Sequence, residues 1–251
     1  MRLQGSSLSP AAVATLIIDR LAGMADAEKA RQVQKYFKET VRSFGVSSPA
    51  VRNLAKEIHV ATRGKWTIAE AIDLCDRLFP RPELEAKSVA ALVLLRRQKE
   101  FARPLFRTIH DWLANDYMNN WASVDIFCPQ ALGVLLVRYP VLLPRIEKWA
   151  GEPNRWVRRA SVVAFLKLAK REEFLGAAYA MAARHFASDD DLVQKAAGWL
   201  LREAGKRDMR RLEAFLLAHG AAIPRTTLRY AIERFQEGRR RELLRRTRAG
   251  N

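Results

Sequence analysis

Five stretches decide the fold: ELEAKSVAAL (83–92), NWASVDIFCP (120–129), RWVRRASVVA (155–164), DLVQKAAGWL (191–200) and TLRYAIERF (227–235). Aligned on Leu84, Trp121, Trp156, Leu192 and Leu228, they recur at spacings of 37, 35, 36 and 36 residues. In these stretches and between them, apolar residues stand three and four apart, which gathers them on one stripe of an α-helix. Val13, Leu16, Ile17 and Leu21 make such a stripe near the start. Ser48-Pro49 reads as a helix start followed by Val51, Leu54 and Ile58, and Thr67 as the cap of a run through Ile68, Ala71, Ile72 and Cys75. Further runs cover about 82–97, 102–115, 119–137, 141–149, 154–170, 172–186, 190–204, 207–219 and 224–236. No window alternates for long with the period of two that a strand needs, and twelve Gly and ten Pro are few for the tight turns of an all-β chain.

A period near 36 residues with two helices per unit is the mark of stacked helix pairs, because one pair cannot bury its apolar face alone. The expected fold is all-α: an α-solenoid of HEAT-like helix pairs with a basic concave groove. Residues 1–236 form one such domain in this reading, and EGRRRELLRRTRAGN (237–251), with six Arg and two Glu, forms a basic C-terminal tail. The net charge of +17 comes from 44 Lys and Arg against 27 Asp and Glu, and only twelve of the 44 are Lys. Arginine suits planar, two-pronged contact with phosphate, so the charge points to a polyanion such as duplex DNA. An apolar fraction of 49% rules out wholesale disorder.

Cys75 and Cys128 have no metal-ligand spacing and read as core thiols of a reducing compartment; His59, His110, His185 and His219 are scattered, so no metal site is expected. MRLQGSSLSP at the start lacks the apolar stretch of a leader, and VAALVLL (89–95) is too short to cross a bilayer. A cytoplasmic monomer that associates with the nucleoid through DNA, and not with a membrane, is the expectation.

The repeat alignment carries its own control. Three residues after the anchor stand Lys87, Val124, Arg159, Lys195 and Ala231, and one residue further Ser88, Asp125, Ala160, Ala196 and Ile232. Only Asp125 is ionised at that second position, where burial would cost free energy unless the carboxylate has work to do. Trp121 lies one turn before Asp125 on the same helical face. Trp199 follows Gly198 on a helix two repeats later, flanked by Lys195 and Arg202, with Arg159 on the helix between. A glycine inside a helix suggests close approach to the backbone there. Trp66, Trp112, Trp149 and Trp156 read as core.

WASVD (121–125), NRWVRRA (154–160) and VQKAAGWLLRE (193–203), in that order and spacing, resemble motifs of the AlkD-like DNA alkylpurine glycosylases, which are HEAT-like-repeat DNA repair enzymes. The likeness extends to FGVSSPAVRNLAKEI (44–58) and IPRTTLRYAIERF (223–235) and leaves out the first ten residues and the tail. It implies that Asp125 is the catalytic carboxylate and that Trp121 and Trp199 are an aromatic pair against the sugar of the lesion. Arg159 would lie at the DNA backbone, and Lys195 and Arg202 would be basic positions near the cleft. Lys87 joins the DNA-binding set by its place in the repeat. Asn120, Ala122 and Ser47 depart from the family pattern and bear on substrate preference more than on chemistry.

The implied activity is hydrolysis of the N-glycosidic bond of cationic N3- or N7-alkylated purines in duplex DNA, working from the sugar side without base flipping. It calls for no metal and no cofactor, because the base leaves as a neutral molecule. 3-Methyladenine, 7-methylguanine and bulky adducts all fall within this class. Two alternatives stand beside it. A non-catalytic HEAT-like nucleic-acid-binding protein would need neither Asp125 nor the indoles, and a protein-interaction scaffold would not need the charge.

Overall fold

The computed structural model describes residues 8–248. The first seven residues of the chain start and the last three of the basic tail lie outside the described residues. Among the described residues there are fourteen α-helices, five 3₁₀ turns and no strand. One isolated bridge joins Arg42 to Glu83. Contacts divide the chain into two compact units, Met1–Phe127 and Cys128–Asn251.

The first unit holds α1 (Pro10–Ala22), α2 (Ala27–Gln34), α3 (Ser48–Thr62), α4 (Ile68–Leu78), α5 (Leu84–Leu95), α6 (Leu105–Ala114) and the start of α7 (Trp121–Arg138). Its helix starts follow local chemistry. The Ser9 hydroxyl accepts from Ala12 N–H ahead of Pro10, and Ser47 does the same for Ala50 N–H ahead of Ser48-Pro49. Thr67 and Glu70 form a reciprocal capping box at α4, with Thr67 N–H donating to Glu70 at 2.8 Å. α5 packs against α3 and α4, and α1 against α4. The central position of α5 explains why it is apolar all round: Ala86, Val89, Ala90, Val93 and Leu94 are fully buried.

α2 has no counterpart in the periodicity, since AEKARQVQ has no fully buried residue and presents no apolar stripe. It is held at its start. Asp26 caps it through Lys29 N–H at 3.0 Å, and Asp26 N–H donates to the Phe44 carbonyl at 2.8 Å. At Gly45, φ is +74° and a Cβ would lie 2.1 Å from the Asp26 carbonyl oxygen, so only glycine fits beneath this helix.

The second unit holds the rest of α7, then α8 (Leu143–Lys148), α9 (Arg155–Val163), α10 (Glu172–Arg184), α11 (Asp191–Gly205), α12 (Met209–His219), α13 (Arg225–Ala231) and α14 (Glu237–Arg246). α11 is its centre, packed against α9, α10 and α13. Asn154 caps α9 and Asp190 caps α11. Asp190 also accepts from Arg155 at 2.8 Å, which fastens the start of α9 to the start of α11. The helical run expected over 154–170 breaks after Val163 and resumes as a 3₁₀ turn over Leu168–Lys170. α14, the described part of the basic tail, packs on α12, with Arg239 Nε donating to Glu213 at 3.0 Å.

The five repeat anchors stand on α5, α7, α9, α11 and α13. α7 is long and apolar enough to pass for a membrane span, with a mean hydropathy of 1.2. Its Phe127, Leu132, Leu135 and Leu136 are nevertheless fully buried, so that apolarity serves a protein core. Both cysteines are buried thiols.

Candidate active site

α7 begins at Trp121. Its first turn is fixed by Asn120, a buried residue whose Oδ1 accepts from Ser123 N–H at 2.9 Å. Trp121 and Asp125 are both half-buried and stand one turn apart on this helix. Phe37, eighty-four positions earlier, stacks on the Trp121 indole with ring centroids 4.9 Å apart and planes 20° from parallel. Sequence reasoning did not single out Phe37, because KYFKETVR (35–42) has no period; the adjacent Tyr36 and Phe37 in a polar segment are its only signal. Tyr36 is 77% exposed.

The segment carrying Phe37 is tied at both ends. Phe37 N–H donates to the Gln34 carbonyl at 3.0 Å, and the Phe37 carbonyl accepts from Gln34 Nε2 at 3.3 Å. The same amide donates to the Glu39 carbonyl at 2.9 Å and accepts from Val41 N–H at 3.0 Å. Beyond it, the buried carboxylate of Glu85 accepts from Ser43 Oγ, Phe44 N–H and Val46 N–H at 2.6, 3.0 and 3.1 Å.

In the second unit, Trp199 is half-buried on α11. Gly198 beside it does mark a close approach, and the approaching element is α13. A Cβ there would lie 2.5 Å from both the Thr227 carbonyl oxygen and Tyr230 Cβ. Lys195 pairs with Asp191 one turn before it at 2.8 Å, and that hydrogen bond is the first cause of its raised pKa. Arg202 pairs with Glu233. Arg159 is 5% exposed and donates from Nη1 to the Leu192 carbonyl, which clamps α9 to α11. The four remaining tryptophans are buried, at 7% exposure or less. The two singled out at Trp121 and Trp199 are thus the two that keep surface.

The repeat position of Lys87 assigns it to the DNA-binding set. The structure places it inside the first unit. It is 2% exposed, and its ammonium donates to the carbonyls of Phe79 and Tyr117, each at 2.5 Å. Burial pulls its pKa from 10.5 down to about 8 against the attraction of Glu83. The reason is geometric: the long stem lets an ammonium reach carbonyls at the end of α4 and after α6, so a basic residue at a repeated position can satisfy backbone instead of phosphate.

A carboxylate and an indole one turn apart on a helix, both half-buried, are the kinds of group that stabilise a cation forming near them. Among the described residues no three His, Cys, Asp or Glu side chains converge as a metal site.

The family model of the DNA alkylation repair enzyme matches residues 17–235. Among solved structures, a predicted DNA alkylation repair enzyme from Enterococcus faecalis superposes with a TM-score of 0.74, covering 85% of this chain and 98% of its own, at 19% identity. At that identity the likeness speaks to the fold alone. Curated proteins give no match to the chain.

Proposed function

The chain belongs to the DNA alkylation repair enzyme family, and from that premise we propose that it is a DNA glycosylase that releases cationic N3- and N7-alkylpurines from duplex DNA. The observation that carries the reading is the pairing of Asp125 with Trp121 on one turn of α7, both half-exposed. Alkylation at N3 or N7 makes the base a cation and weakens its glycosidic bond. As the bond breaks, the base departs neutral and positive charge develops on the sugar. In this reading the Asp125 carboxylate stabilises that charge and orients the attacking water. The indole face of Trp121 adds a second, weaker attraction to the same charge. No proton donor of high acidity is required, since the base carries its positive charge before it leaves.

Resemblance adds Trp199 as the second aromatic, and its half-exposure in the second unit supports that assignment. Lys195 and Arg202 are proposed to face DNA. Each now holds a carboxylate, Asp191 or Glu233, that phosphate would have to replace. Arg159 is proposed to support this surface by holding α9 to α11, since its Nη1 is engaged with a carbonyl. The sugar-side mechanism, with the lesion left in the duplex, is the route the resemblance implies. The test is incubation of purified protein with methylated duplex DNA and chromatography of the released bases. Release of 3-methyladenine or 7-methylguanine is the expected outcome. DNA binding with no base released would leave the non-catalytic alternative.

A further inference from the structure

We propose that Phe37 is a positioning residue for Trp121: it covers one face of the indole and holds the ring so that only the other face is open to substrate. This deepens the glycosylase reading and rests on it. The geometry is a near-parallel stack, with centroids 4.9 Å apart and planes 20° from parallel, between two half-buried rings. An offset stack at this distance lies against one side of the indole π-system, and the attraction of a π-face for positive charge is then offered chiefly by the other side.

The backing ring is itself fixed. Both backbone polar groups of Phe37 are bound to Gln34, and the chain beyond is pinned by Glu85. Gly45 lets that chain pass directly under α2. Phe37 therefore reaches Trp121 from a segment with little freedom to swing, and a held ring loses less entropy when it orients its neighbour. Trp121 opens α7, where fewer backbone contacts constrain a side chain than in mid-helix. An external ring that fixes its angle is what such a position lacks.

The experiment is a double-mutant cycle in the full chain, read by single-turnover release of 7-methylguanine. Phe37→Ala is expected to slow release about three- to tenfold while DNA affinity changes less than about twofold. Phe37→Tyr keeps the ring and should restore at least about half of the wild-type rate. In a Trp121→Ala background, Phe37→Ala should change the rate by less than about twofold, because the ring it orients is gone. A full Phe37→Ala effect in that background would overturn the positioning role and leave the glycosylase reading standing. A wild-type rate in Trp121→Ala would overturn the positioning role together with the role of the indole. If the wild-type protein released no base, the reading beneath would fall, and near-ultraviolet circular dichroism of the DNA-free protein would decide the stack. Loss of one shared band in Phe37→Ala and Trp121→Ala would support it, and additive spectral changes would overturn it.

Discussion

Replacing Lys87 by methionine keeps the buried stem and removes the ammonium. Two effects then oppose each other. The Phe79 and Tyr117 carbonyls lose donors that stand at 2.5 Å. Phe79 is fully buried, so its acceptor is left dry, whereas Tyr117 is 37% exposed and water can replace the donor there. The loss is about 2–4 kcal/mol. Against it, methionine buries no charge. A pKa lowered from 10.5 to about 8 means that the charged form is disfavoured in the fold by roughly 3 kcal/mol. At pH 7 the two effects nearly cancel, and Lys87→Met should change stability by no more than about 1 kcal/mol.

Between pH 8 and 10.5 the folded chain has released the Lys87 proton and the unfolded chain still binds it. Stability of the wild type therefore rises with pH across this window. The gap over Lys87→Met should widen to roughly 3 kcal/mol at the top of the window. Urea unfolding of both proteins at pH 7, 8, 9 and 10 measures it. A gap that stays flat with pH would mean that the Lys87 ammonium is solvated in the fold. Affinity for duplex DNA should be unchanged by the substitution within about twofold.

Gly198→Ala should destabilise the chain by about 2–3 kcal/mol, read as a fall in thermal midpoint, because the new methyl meets backbone and Cβ atoms of α13. Gly151, with nothing within 4 Å of its Cβ position, is the control and should tolerate alanine. His185 is buried with its Nε2 3.1 Å from Ser161 Oγ. Burial first, then Arg158 and Arg184, lower its pKa from 6.5 to about 4. The unfolded chain thus binds a proton between pH 6.5 and 4 that the folded chain refuses, and stability falls as pH falls, by roughly 3 kcal/mol over the window. A His185→Asn variant should show a shallower acid slope in urea unfolding, and an unchanged slope would count against a neutral buried imidazole.

Most of the fold could be read from residues because its devices are local. Thr67 sits where a cap is needed, Ser48-Pro49 lies one residue past the Ser47 cap, and the apolar stripes of α1, α3 and α4 repeat at helical spacing. α2 escaped this reading because it is positioned by Asp26, Phe44 and Gly45 rather than by a buried face. In the candidate site, the acid at Asp125 stands out by its position in the repeat, whereas Trp121 and Trp156 share the anchor position and yet one is half-buried and the other buried. The surroundings of Lys87 and Arg159 were not legible there, since a cation that binds phosphate and one that binds a carbonyl have the same spelling. What separates them is the distance to a neighbouring helix end, as at Phe79 and Leu192. Phe37 was hidden for a related reason: its partner is eighty-four residues away and its own segment has no period.

Asp125→Asn keeps the shape of the side chain and removes its charge. Single-turnover release of 7-methylguanine from a defined duplex, compared between wild type and this variant, isolates what the carboxylate does in base release. The variant should be slower by roughly tenfold or more, with DNA affinity unchanged or raised and a residual rate remaining because a cationic base leaves without much help. Release at the wild-type rate by Asp125→Asn would contradict the catalytic role of the carboxylate.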